Sequence, residues 1–188
     1  MKFMELNSHS ADALGVWGDG NLGYITALLL KVICPDSSVI VFGKHFENLS
    51  LFSFADEIHL IHEVPDDLTI NHAFECVGSA ASQSAIEQII DLINPQGIIS
   101  LFGVSEYPIP INTRMILEKG LTLQGNSRSE REDFEGVIDI LAKNPQLFSY
   151  LSKLITNVCE IKSIDDLKNA FDMDYISDFA KTILKWEI

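Results

Sequence analysis

Leu14-Gly15-Val16-Trp17-Gly18-Asp19-Gly20-Asn21-Leu22-Gly23 sets three glycines at G-x-G-x-x-G spacing between a short apolar run and a long one. The run Leu14 to Trp17 reads as a buried strand, and Leu22 to Val32 as a helix with almost no polar side chains, covered on most sides. Each glycine has a physical reason. Gly18 permits the tight turn, Gly20 has no Cβ to block an approaching diphosphate, and Gly23 lets the helix pack closely on the strands. A diphosphate would meet backbone N–H groups at the positive end of the helix, with Asp19, Asn21 and Leu22 completing the turn. An isolated glycine string is weak evidence, but here strand, turn, helix and second strand arrive at the required spacing, and dinucleotide binding is the reading. A purely structural glycine turn is the plain alternative. A phosphate-loop nucleotidase is excluded because no Gly-Lys-Ser/Thr follows, and a methyltransferase turn does not need three glycines so spaced.

Outward from this turn, strand-like and helix-like segments alternate. Ser38 to Phe42, Glu57 to Ile61, His72 to Val77, Ile98 to Phe102 and Leu121 to Gln124 read as further strands. Leu49 to Phe54, Ala81 to Ile93 and Glu130 to Ala142 read as helices, the second stopping before the loop Asn94-Pro95-Gln96-Gly97. Continuous apolar strands separated by helices mark a parallel sheet covered on both faces. The expected fold is α/β, a doubly wound parallel six-stranded Rossmann sheet with its ligand at the carboxyl ends of the strands, where the strand order reverses.

Three regions are expected. Residues 1–13 form a lead-in, with Met1 to Leu6 as the end of a helix and Asn7 to Ser10 as a loop. Residues 14–150 form the dinucleotide-binding domain. Residues 151–188 form a strand-helix-strand extension: strand Leu154 to Ile161, a cap at Ser163 for helix Asp166 to Asp172, and a terminal strand Lys181 to Ile188. That last strand needs a sheet edge, and nothing in the first 150 residues demands it.

The end of the second strand decides which dinucleotide fits. An acidic side chain there would bind the adenosine ribose hydroxyls and repel a 2′-phosphate. Phe42-Gly43-Lys44-His45 instead offers room at Gly43 and positive charge at Lys44, favouring NADP(H) over NAD(H), although Glu47 is close. Val77 and Gly78, ending the fourth strand, and Gly103 and Val104, ending the fifth, are expected to line the nicotinamide side through backbone groups. Arg128 is a candidate at the crevice rim, with Arg114 and Arg131 weaker; a capping box of Ser129 with Glu132 is the bland reading of that loop. His59 and His62 lack a third converging metal ligand. Cys76 has no partner thiol or base that would make it a redox group. A carbonyl reduction needs a group to polarise oxygen and supply a proton, and no Tyr-x-x-x-Lys or Cys/His/Glu cluster is found, so no catalytic residue is assigned.

Composition narrows the classes further. The chain has 188 residues, 47% of them hydrophobic, and its 27 acidic against 13 basic side chains give a net charge of −14. Without a Lys/Arg block, nucleic acid and anionic membrane are not expected as partners. Three widely separated cysteines and no apolar run of bilayer-spanning length read as a soluble cytoplasmic protein.

The chain resembles the cofactor domain of the medium-chain, zinc-type alcohol dehydrogenase superfamily, and in particular the ribulose-5-phosphate reductases, also called ribitol-5-phosphate dehydrogenases, of teichoic acid or capsule synthesis. The resemblance rests on Gly15 to Tyr24 (GVWGDGNLGY), His72 to Gly78 (HAFECVG), Asn94 to Arg114, Leu117 to Leu123 and Ser127 to Ser129, and covers essentially the whole chain. It implies NADPH as reductant, dimers formed through the cofactor domains, and an amino-terminal GroES-like catalytic domain, absent here, that carries zinc and most of the substrate pocket. It implies that Lys181, in Ala180-Lys181-Thr182-Ile183-Leu184, contacts the cofactor diphosphate where the last segment returns toward that domain. The chain is expected to bind no zinc and to have no turnover by itself. A stand-alone nucleotide-binding or interaction module is the competing reading.

Overall fold

The computed structural model describes residues 12–125, 127–176 and 179–186. The expected helix end and loop in residues 1–11 lie outside the described residues, as do Asn126 and the last two residues of the terminal strand.

Six parallel strands form one sheet: β1 (Ala13–Trp17), β2 (Ser38–Gly43), β3 (Glu57–Leu60), β4 (Ile70–Glu75), β5 (Ile93–Leu101) and β6 (Thr122–Gly125). Their order is β3-β2-β1-β4-β5-β6, the doubly wound Rossmann arrangement, with the reversal between β1 and β4. The registers Val16↔Val41 and Val16↔Phe74 bring the carboxyl ends of β1, β2 and β4 level with one another. Val39, Ile40, Val41 and Phe42 are each no more than 3% exposed. A strand buried on both faces reads as an unbroken apolar run, which is why the sequence pattern identified it.

Helix α1 (Asn21–Ile33) follows the glycine turn, and α2 (Phe46–Leu49), α3 (Ser82–Leu92) and α4 (Thr113–Lys119) connect β2 to β3, β4 to β5 and β5 to β6. Ile86, Ile89 and Ile90 of α3 join Trp17, Phe42, Ile70 and Ile99 in one apolar cluster. Trp17 stacks on Phe42 at 4.0 Å between centroids, and its indole N–H donates to Gln88 Oε1 at 2.9 Å, so the ring before the glycine turn is fixed in plane and rotation. Lys119 closes α3 from outside: its ammonium donates to the carbonyls of Ile90 (2.6 Å), Asp91 (3.1 Å) and Ile93 (2.9 Å), at the negative end of the helix.

Several boundaries differ from expectation. The short helix expected at Leu49 to Phe54 forms earlier, at Phe46–Leu49, because the carboxylate of Asp19 accepts from the His45 N–H just before it. Strand β4 ends at Glu75 rather than Val77, since the Val77 and Gly78 amides turn to the Glu75 side chain. Strand β5 begins at Ile93, the last residue of the expected helix, and runs through the expected loop Asn94 to Gly97; between the pairs Ile70↔Ile93 and His72↔Ile98 it bulges through Pro95 and Gln96, the latter at φ 67°. Helix α4 was not expected, although Asn112 caps its start through Met115 N–H and Gly120 ends it at φ 61°.

The chain divides into two compact units, one ending at Ser127 and the other running from Arg128 to Ile188. Helix α5 (Arg131–Lys143), which buries no residue, groups with the second unit. Its cap pairs the Glu130 N–H with Asp133 at 2.9 Å, one residue on from the expected Ser129 and Glu132. The second unit continues with α6 (Leu147–Leu151), a 3-10 turn (Ser152–Leu154), β7 (Ile155–Ile161), α7 (Ile164–Ile176) and β8 (Lys181–Trp186). Strand β8 finds its partner in β7, in parallel, and Ser163 and Asp166 exchange hydrogen bonds at the start of α7. Among the described residues no helix is long and apolar enough to cross a membrane.

Candidate dinucleotide-binding site

Gly18 takes φ 130°, a conformation L side chains rarely adopt, and a Cβ there would also press on the Cys76 carbonyl at 2.9 Å. Its N–H donates to Phe42 O, so the turn leaves β1 tied to the end of β2. A Cβ on Gly23 would run into the Gly18 carbonyl, which makes that glycine a packing requirement. Gly20 is different: nothing lies within 4 Å of where its Cβ would be. It is also the N-cap of α1, in extended conformation, and as a glycine it brings no side chain to cap the helix itself. The thirteen-residue helix therefore begins beside open space at the glycine of the G-x-G-x-x-G turn that packing does not require, next to Leu22, which is 43% exposed. That combination is what a bound anion needs.

On the β2 side, Gly43 lies against the turn, where a Cβ would meet Asp19 Cβ at 2.6 Å. The Asp19 carboxylate accepts from the N–H groups of Lys44 (2.8 Å) and His45 (2.6 Å) and contacts His45 Nδ1 at 3.1 Å. Asp19 thus braces the loop after β2, while the side chain of Lys44 stands exposed.

On the other side of the crevice, the loops after β4 and β5 are joined. Ser79 N–H donates to the Val104 carbonyl at 2.8 Å, and a Cβ on Gly78, at φ 72°, would meet that same carbonyl at 3.0 Å. Val77 and Val104 are exposed at the rim. Beneath them Glu75, 1% exposed, accepts through Oε1 from Val77 N–H (2.9 Å), Gly78 N–H (3.1 Å) and Ser82 Oγ–H (2.9 Å), and through Oε2 from Gly103 N–H (3.2 Å). Cys76 is sealed beside Thr26, and burial pushes its thiol up to about 12, so it is held as an inert thiol.

The fold accordingly brings Gly18 to Gly23, Gly43, Lys44, Val77, Gly78, Gly103 and Val104 to the carboxyl edge of one sheet. Arg128, at φ 67°, and Lys181, the first residue of β8, are exposed members of the second unit. Residues 47–143, just over half of the chain, match the zinc-binding dehydrogenase family. The chain belongs to that family.

The chain is 49% identical over 187 residues to a ribulose-5-phosphate reductase of Bacillus spizizenii, covering 100% of this chain and 55% of the relative. It is 37% identical over 187 residues to a ribulose-5-phosphate reductase of Streptococcus pneumoniae, covering 100% and 54%. The crystal structure of S. aureus TarJ in complex with NADPH superposes with a TM-score of 0.96 at 49% identity, over 100% of this chain and 59% of that one. The chain spans about half the length of the curated relatives it matches.

Among the described residues, no three His, Cys, Asp or Glu side chains are grouped to hold a metal ion. His59 and His62 contact their neighbours Glu57 (3.0 Å) and Glu63 (3.5 Å) instead. Glu75 is the residue that sequence reasoning passed over. Its signal was an acidic side chain at the end of an apolar strand, Phe74-Glu75-Cys76-Val77-Gly78, with no basic residue close in sequence to balance it.

Proposed function

We propose that this chain is the NADP(H)-binding part of a reductase whose complete form converts D-ribulose 5-phosphate to D-ribitol 5-phosphate. The observation that carries the proposal is the start of α1 at Gly20, where the N-cap residue has no side chain and the space a Cβ would take is open, at the strand-order reversal of the sheet. There the amides of the first turn would hold the diphosphate, with Gly18 and Gly23 fixing the turn around it. The adenosine half would lie over β2, where the Lys44 ammonium favours a 2′-phosphate and Asp19 holds the Lys44 and His45 backbone in place. The nicotinamide half would lie against Val77, Gly78, Gly103 and Val104. NADPH, when bound, supplies a hydride from its nicotinamide ring.

The 49% identity to ribulose-5-phosphate reductase supports the substrate class. The half of such relatives that this chain does not match would supply the carbonyl-polarising zinc and the substrate pocket, and would cover apolar side chains exposed in the second unit, among them Phe134, Val158 and Phe171. Calorimetric titration of this chain with NADPH and NADH tests the proposal. Saturable binding of NADPH, tighter than NADH, is the expected result, and absence of NADPH binding overturns it. With zinc, NADPH and ribulose 5-phosphate together, the chain by itself is expected to oxidise no NADPH.

A further inference from the structure

We infer that Glu75 is a positioning residue for the nicotinamide end of the site, acting through the two loops it ties together; this rests on the cofactor reading above. Its carboxylate is buried, has no cation among the partners that hold it, and gathers donors from three places: the loop after β4 (Val77 and Gly78), the start of α3 (Ser82) and the loop after β5 (Gly103). Its backbone carbonyl accepts from one further donor, Phe102 N–H at 2.8 Å, and shares the Gly103 N–H, at 2.9 Å, with Oε2. A buried acid is costly unless its oxygens are matched by donors, and here both are.

The geometry is selective for one half of the crevice. Every group bonded to Glu75 belongs to the β4 and β5 side, and none belongs to the glycine turn or to the loop after β2, which are held instead by Phe42 O and Asp19. In a doubly wound sheet those two sides serve the two mononucleotide halves separately. The space is also shaped to the side chain: a Cβ on Gly103 would lie 2.6 and 2.7 Å from the two carboxylate oxygens. Releasing the carboxylate frees the Val77 and Gly78 amides and the Ser82 hydroxyl at once, and loosens the rim that Val77 and Val104 form.

The test compares NADPH with 2′,5′-ADP, which keeps the adenosine half and lacks the nicotinamide. In Glu75→Ala, NADPH affinity should fall at least tenfold while 2′,5′-ADP affinity changes less than twofold. Glu75→Gln keeps one oxygen for the three Oε1 bonds and should return NADPH affinity to within about threefold of the parent chain. If Glu75→Ala does not fold, Glu75→Asp carries the test, because it keeps the charge and shortens the arm; it should lose NADPH affinity three- to tenfold and leave 2′,5′-ADP unaffected. Equal losses for both ligands in a folded variant, or no loss of NADPH, overturn the assignment of Glu75. If the unaltered chain binds neither ligand, the cofactor site itself is wrong.

Discussion

Replacing Gly20 by alanine separates binding from folding. The added methyl group meets no atom within 4 Å, and φ −94° is open to any residue, so the fold has no steric objection. Two small terms remain. Alanine is a poorer N-cap than glycine by about 0.5–1 kcal/mol. It also removes backbone freedom from the unfolded chain, which stabilises by about 0.4–1 kcal/mol. They oppose each other, and the melting temperature should stay within about 3 °C of the parent. The same methyl group occupies the space through which a diphosphate reaches the α1 amides. Loss of one charge-assisted hydrogen bond, about 1.5–3 kcal/mol, translates into a tenfold to hundredfold weaker NADPH affinity at about 1.4 kcal/mol per decade. Gly23→Ala gives the contrasting result: its methyl group collides with the Gly18 carbonyl, and overpacking of this kind costs about 3 kcal/mol or more, seen as a large fall in melting temperature. Differential scanning fluorimetry with calorimetric titration reads both quantities. A Gly20→Ala chain that folds and binds NADPH as tightly as the parent would refute the assignment of the anion to this turn.

Three other outcomes follow from the geometry. Lys44→Ala should weaken NADPH five- to thirtyfold and leave NADH within twofold, the effect of removing one exposed charge near a phosphate, about 1–2 kcal/mol; equal losses for the two cofactors in a titration would contradict it. Lys119→Met should lower stability by about 2 kcal/mol, because three carbonyls at the end of α3 lose a charged donor, and should lower the melting temperature by about 4–8 °C. At Asp56, burial raises the carboxyl but is outweighed by hydrogen bonds from the Lys31 ammonium and the Val39 N–H and by the Lys31 charge, so its pKa lies below the ordinary value. That contribution to stability is complete above the unfolded carboxyl value, roughly pH 4, and is lost as pH falls through the lower folded value. Asp56→Asn should therefore flatten the acid limb of a melting-temperature profile below about pH 4, and an unchanged limb would count against the pair.

Much of the fold was readable because buried parallel strands are written as unbroken apolar runs. Val39 to Phe42 carries that pattern, Ile98 to Leu101 carries it with Ser100 as its one polar residue, and the glycines of the first turn fix where the first helix starts. The ends that differ have separate causes: a local turn of the Val77 and Gly78 amides onto Glu75, a bulge in β5, and for α2 a bond to a side chain distant in sequence. Asp19 sets the start of α2 from 26 residues away, and nothing in residues 45–50 announces it. Helix α4 had its signal in plain view, since Asn112 and Gly120 bracket a seven-residue segment with the chemistry of an N-cap and a left-handed C-cap. Among the candidate site residues, the glycines were legible because their requirement is local and steric. Glu75 was not, because its role depends on Ser82 and Gly103 reaching it across the fold.

A crystal structure of this chain grown with NADPH tests the central claim most directly. The diphosphate should rest within hydrogen-bonding distance of the first-turn amides of α1, above the α-carbon of Gly20. Diphosphate density at any other place, with that helix end closed over by side chains, would contradict the account.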